Sequence, residues 1–150
     1  MLKHALKKMF LVIAMSVFTV SLHAADWTMA SGYPKSNFHT QNIIKFIDEV
    51  KATTSVNINL NENDTLIKID AIKTSLQRGQ IPIGEIRLGI YGNEDPMYIL
   101  AGLPFIAPDY SSAWLLKDVQ MGYLQEKFAK KGLMILYTSP WPGQGFYTKS

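Results

Sequence analysis

The chain has 150 residues, 47% of them apolar, and no cysteine. It can bury a sizeable core, but no disulfide can hold that core, and neither a thiol nucleophile nor a cysteine metal site is available. Lysines and arginines exceed acids by three, yet Lys3, Lys7 and Lys8 account for that excess, so the remaining chain is formally neutral and carries no electrostatic footprint for nucleic acid.

Those three lysines precede an apolar run from Met9 to Val20, which is followed by the small residues of Ser21-Leu22-His23-Ala24-Ala25. A basic start, a short apolar stretch and a small-residue cleavage site make a secretory signal. The run falls short of the ~20 residues a membrane-crossing helix needs. Cleavage is expected after Ala24, with Ala25 the alternative, leaving residues 25–150 as the exported chain. His4 and His23 depart with the signal, so His39 is the one histidine left.

Asp26 to Ser31 reads as a first strand, broken at Gly32-Tyr33-Pro34. Ser36 or Asn37 can cap a helix in which Thr40, Ile43, Ile44, Ile47 and Val50 recur at helical spacing, ending near Thr53-Thr54. Val56, Ile58 and Leu60 alternate with Ser55, Asn57 and Asn59, the pattern of a strand with one wet face at a sheet edge. Asn61 to Asp64 is a turn, and Asn63 or Asp64 can cap a second helix with Leu66, Ile69, Ile72 and Leu76 on its inner stripe and Gly79 as its stop. Gly84 to Ile90 is expected as a third strand, broken by Tyr91 to Pro96. An apolar stretch, Met97 to Ile106, then leads to a long helix opened by Asp109, Ser111 or Ser112. Leu115, Leu116, Val119, Tyr123 and Phe128 are expected on its inner face, with Lys130 and Lys131 in the last turn and Gly132 closing it. Leu133 to Tyr137 is a continuous apolar run, as in a central buried strand. "FYTKS" has strand-like alternation at the end of the chain, which therefore reads as the N-terminal part of a longer protein.

Four strands alternate with three helices, which predicts an α/β fold with a doubly wound, mostly parallel sheet. Every strand-ending loop then gathers at one pole, where ligands bind in such sheets. The loops are "SGYPKSN", "NEND", "YGNEDP" and "TSPWPGQG". Their aromatics, amides and carboxylates suit a cleft for a small polar solute. Trp141 stands out, fixed between Pro140 and Pro142 with glycines beyond. A stiff loop would present it as a preformed wall that loses little entropy on binding.

Other chemistry is weakly supported. There is no G-x-G-x-x-G or Walker sequence, and no cofactor is expected. Glu94-Asp95 reads as a solvated acidic pair rather than a metal site. His39, in the first turn of a helix and without a G-x-S-x-G elbow in the chain, reads as a capping or surface residue. Glu85 and Arg87 fall on the same side of the third strand and suit a salt bridge. Trp27, Tyr123 and Phe128 read as core, and Trp114 as packing or interface.

The export signal together with "ASGYPKSNFHTQNI", "GEIRLGIYGNEDP", "GLPFIA" and "GLMILYTSPWPGQGFYTK" resembles the periplasmic solute-binding subunits of TRAP (tripartite ATP-independent periplasmic) transporters, the DctP-like family. The resemblance runs in order over nearly all of residues 26–149. It implies the first lobe of a two-lobed, hinge-closing periplasmic binding protein, not an enzyme, that captures a small organic acid, often a carboxylate, for the transporter's membrane subunits. By the same resemblance Tyr33, Asn37, Tyr91, Asn93, Glu94, Trp141 and Gln144 are the candidate solute residues. The family's carboxylate-pairing arginine would come after Ser150, and Arg78 and Arg87 are not expected at the ligand pole. The alternatives are the binding protein of an ATP-driven importer and a secreted α/β hydrolase using a serine and His39.

Overall fold

A computed structural model describes residues 25–149 other than Gln144 and Tyr147. The signal segment and the candidate Gln144 lie outside the described residues. The order is β1 (Ala25–Ala30), α1 (Phe38–Thr53), β2 (Val56–Asn61), α2 (Ile72–Gln77), β3 (Ile83–Gly84), three short 3₁₀ turns between Leu88 and Gly102, and α3 (Tyr110–Ala129). The strands form one parallel sheet in the order β2-β1-β3.

Alternation along β1 sends neighbouring residues to opposite layers. Met29 packs with Ile58, Ile83 and Ile43 of α1, while Ala30 packs with Ile72 of α2 and Ile81. Helices therefore cover both faces, as a doubly wound sheet requires. A third cluster joins Tyr91 and Tyr98 to Leu124 and Phe128 of α3.

The caps follow the sequence. Asn37 Oδ1 accepts from the His39 N–H at 2.8 Å, opening α1, and Asp109 Oδ1 accepts from the Ser112 N–H at 2.8 Å, opening α3. Gly132, at φ 72°, turns the chain after α3, and the Leu133 N–H returns to the Phe128 carbonyl at 3.0 Å. As expected for an edge strand, β2 keeps Asn59 exposed and Ile58 buried.

Four elements depart from expectation. α2 starts at Ile72 because Asn63 and Asp64 both take left-handed backbone, φ 56° and 58°, which asparagine and aspartate tolerate but a helix does not. Asp64 instead bonds its carboxylate to the Ile69 N–H at 2.8 Å. β3 covers only two residues because it pairs with Met29 and Ala30, the last residues of β1. Past the Glu85 N–H, which bonds the Ala30 carbonyl at 2.9 Å, there is no strand to follow, and Leu88–Tyr91 coil into a 3₁₀ turn. The same short pairing leaves Trp27 with a strand on one side only, and it is 37% exposed rather than core.

Leu133–Tyr137 is not a ladder strand. Leu133 and Ile135 pack on the third cluster, while Met134 and Leu136 face outward. α3 is also rotated from its expected setting. Gln120, Leu124 and Phe128 are its buried residues, and Leu115 and Val119 are exposed. Apolar side chains run round most of this helix, so spacing alone could not choose the inner face. The choice is made by Phe128 and Leu124 meeting Tyr98, and by the buried Gln120 amide donating to the Met97 carbonyl at 3.0 Å.

Candidate functional site

The ends of β1 and β2 are tied into one rigid edge. The Ser31 N–H bonds the Asn61 carbonyl at 2.9 Å, the Asn63 N–H bonds the Tyr33 carbonyl at 2.9 Å, and the Asp64 N–H bonds the Ser31 carbonyl at 3.2 Å. Thr40 Oγ1 also donates to the Tyr33 carbonyl, at 3.2 Å. Gly32 is needed for this closeness, since a Cβ there would stand 2.5 Å from the Ile69 side chain. Tyr33 is thus fixed by both neighbouring loops.

The chain after α3 arrives at the same place by lying along α1. Phe46 meets Tyr137 at 5.4 Å between ring centroids, Asn42 Nδ2 donates to Ser139 Oγ at 3.5 Å, and His39 meets Trp141 at 4.4 Å. Residues 39, 42 and 46 share one helix face, and residues 137, 139 and 141 share one side of an extended chain, so the two periods match. The Trp141 indole ends edge-on to Tyr33 at 5.3 Å and to Phe38 at 5.5 Å. Gly143 lies so close to the Pro108 carbonyl that a Cβ would reach within 2.3 Å of it.

Tyr33 and Trp141 line an open cleft of about 1180 Å³ between the sheet and α3, together with His39, Glu85, Arg87 and Tyr137. Glu85 accepts a 2.5 Å hydrogen bond from Ser31 Oγ. Burial holds its carboxyl above the usual range, and the Ser31 bond partly offsets this. Burial also raises the Tyr33 phenol, against the pull of the nearby Arg87 charge, and lowers the His39 imidazole. The cleft therefore offers aromatic walls, a neutral imidazole, a phenol, a partly shielded carboxylate and a guanidinium. Among the described residues no group of histidines and carboxylates could hold a metal ion.

Two expectations about charge change here. Glu85 is bonded to Ser31 and not bridged to Arg87, and Arg87 lines the cleft rather than lying away from it. His39 is 5% exposed and faces Trp141, so it is neither a cap nor a surface residue.

The remaining candidates lie elsewhere or are engaged. The Asn37 side chain caps α1. Tyr91 is buried, its hydroxyl donating to the Ile69 and Asp70 carbonyls and its ring lying 3.9 Å beneath Lys73 Nζ. Glu94 accepts from the buried Lys73 and from Lys131, the latter at 2.5 Å, and these bonds lower its carboxyl, the Lys131 bond most. Asp95 beside it accepts from Tyr123 Oη at 2.6 Å and pairs with Lys127 at 3.0 Å, which brings its carboxyl down to about 2. Asn93 is exposed. The third loop is thus a strut between α2 and α3, and Tyr91, Asn93 and Glu94 are not among the residues lining the cleft. His39, Glu85 and Arg87 are the cleft residues that sequence reasoning set aside. The available signal was a histidine six residues beyond Tyr33, at the head of the helix face that carries Asn42 and Phe46.

No protein-family model and no curated protein matches the chain. Solved structures do. DctP6 of Bordetella pertussis, an extracytoplasmic solute receptor binding pyroglutamic acid, is 38% identical with a TM-score of 0.73 and matches 75% of this chain. DctP7 of the same organism, also binding pyroglutamic acid, is 36% identical with a TM-score of 0.76 over 79% of the chain. A TRAP solute binding protein from a marine metagenome, specific for pyroglutamate, is 35% identical with a TM-score of 0.79 over 86%. The chain spans 38%, 40% and 43% of the lengths of these three proteins. Over the stretch it shares with them, the chain belongs to the DctP-like family of TRAP extracytoplasmic solute receptors.

Proposed function

We propose that the chain supplies one wall of the solute cleft in a periplasmic receptor, which captures a small organic acid and delivers it to the membrane subunits of a TRAP-type transporter. The solute class proposed is a compact cyclic monocarboxylate of the pyroglutamate kind, since of three proteins 35–38% identical to this chain two bind pyroglutamic acid and one is specific for pyroglutamate. The receptor acts without catalysis and without ATP, and its export follows from the signal segment.

The observation that carries the reading is the meeting of Tyr33 and Trp141 at 5.3 Å over a cleft that Arg87 also lines. Flat rings suit the apolar body of a small, flat solute, and the guanidinium suits its carboxylate. The cleft is wider than the roughly 300–1,000 Å³ that encloses a small ligand, which agrees with closure by a second lobe, as the family resemblance implies. Against an esterase, His39 Nε2 has no hydrogen-bond partner and therefore no serine to activate.

Calorimetric titration of the exported protein with pyroglutamate tests the reading, with a linear dicarboxylate and a neutral sugar as comparison solutes. Saturable heat with pyroglutamate and none with the sugar is expected. Absence of heat with every carboxylate would overturn it.

A further inference from the structure

Two polar atoms beside Trp141 have no partner. Tyr33 Oη and His39 Nε2 are both shielded from solvent, and neither makes a hydrogen bond. They are the two side-chain atoms so placed among the described residues. Buried polar groups elsewhere are satisfied: Gln120 by Met97, Thr40 by Tyr33, Ser31 by Glu85. Such orphans are rare in folded proteins because each has given up water for nothing. Packing alone does not account for them, since phenylalanine would fill either position without a polar atom to desolvate.

The two groups come from different elements and converge. Tyr33 leaves the loop after β1, and His39 sits in the first turn of α1, with the rings stacked 5.8 Å apart. Both line the cleft. Beside them stand the rings of Phe38, 4.1 Å from His39, and of Trp141, 4.4 Å from His39 and 5.3 Å from Tyr33 and itself 40% exposed.

We propose that Tyr33 Oη and His39 Nε2 form a paired donor subsite for an oxygen acceptor of the solute, beside the Trp141 wall. The inference rests on the receptor reading above and deepens it. The phenol donates its O–H and the neutral imidazole its Nε2–H. Burial keeps the imidazole neutral, and the Arg87 charge near Tyr33 favours an electron-rich oxygen there. In a cyclic acid of the pyroglutamate kind the acceptor is either the carboxylate or the lactam carbonyl.

The test is titration of wild type, Tyr33→Phe, His39→Phe and the double variant with pyroglutamate, alongside thermal melts of each. Loss of one shared donor is expected to weaken binding about tenfold or more, with the melting temperature unchanged or raised, because an unpartnered polar atom has gone. The double variant should lose less than the sum of the singles if both groups hold one oxygen. His39→Gln, which keeps an N–H, should recover part of the affinity. Proline, which keeps the carboxylate, and pyrrolidinone, which keeps the lactam, separate the two acceptors: the solute whose weak binding falls further in Tyr33→Phe carries the contacted oxygen. Full affinity in both single variants overturns the subsite and leaves the receptor reading standing. Lower melting temperatures with unchanged affinity also overturn it and assign the pair a packing role. A wild type that binds no carboxylate removes the receptor reading and the subsite together.

Discussion

Trp141 is 40% exposed, yet its indole makes T-shaped contacts with Tyr33, Phe38 and His39. Aromatic pairs are worth about 0.5–1.5 kcal/mol each beyond area burial, so the residue is no loose flag on a loop. Trp141→Ala removes those contacts. The expected result is a modest fall in melting temperature, a few degrees at most, with solute binding weaker by roughly 2 kcal/mol or more, as for an aromatic residue that a bound solute covers. Titration and a thermal melt on the same variant check this, and a lost fold with intact affinity would reverse the assignment. That Trp141 is held firmly was legible in its flanking prolines and glycines, and the structure sets it against Tyr33, Phe38 and His39. The setting of His39 was not legible, because it depends on a segment about a hundred residues away lying along α1, and no local pattern reports that contact.

At the level of elements, local chemistry was a good guide wherever one residue decides the outcome. The caps Asn37 and Asp109, the stop at Gly132 and the wet edge of β2 all follow from single side chains meeting the backbone. It failed where pairing decides. Glu85 to Ile90 reads as strand, but β1 has ended and offers no partner. Leu133 to Tyr137 reads as a central strand, but it lies beside α3 and α1 without joining the ladder. The third loop shows the same limit for function. Its carboxylates look free in the sequence, yet Glu94 clamps Lys73 of α2 to Lys131 behind α3. Lys73 is only 2% exposed, so Glu94→Gln leaves a buried ammonium without its counter-charge. A cost of about 1–3 kcal/mol is expected, less than for a fully buried pair because Glu94 is one-third exposed. The pH dependence has a definite sign. The Glu94 carboxyl is lower in the folded chain than in the unfolded one, so its contribution is complete above the ordinary carboxylate range. It fades as pH falls through that range, where the unfolded state binds the proton first. Urea melts across acid pH should therefore fall more steeply for wild type than for Glu94→Gln. Solute affinity at neutral pH should be the same for both, and a large loss would return Glu94 to the list of solute contacts.

The molecule as a whole leaves much apolar surface open. Leu115 and Val119, a turn apart on α3, are 68% and 73% exposed, and Phe105 and Met134 are 68% and 80% exposed. Single exposed apolar residues are ordinary, but a helix that shows Leu115 and Val119 on one face while burying Gln120 on another has two surfaces that want cover. Sheet pairing adds to this, since β3 meets β1 over only two residues and leaves the backbone beyond it open on that edge. The exposed Leu115–Val119 face and the open sheet edge should make the molecule associate when concentrated. Sedimentation velocity of residues 25–150 at rising concentration is expected to show growth beyond the monomer, and Leu115→Lys with Val119→Lys should suppress it. Because neither side chain is in the core, the same pair should leave the melting temperature nearly unchanged, within the ~0.5 kcal/mol typical of surface changes. A wild-type chain that stays monomeric and melts sharply and reversibly would show that these faces are stable in water. The association would then have to be dropped.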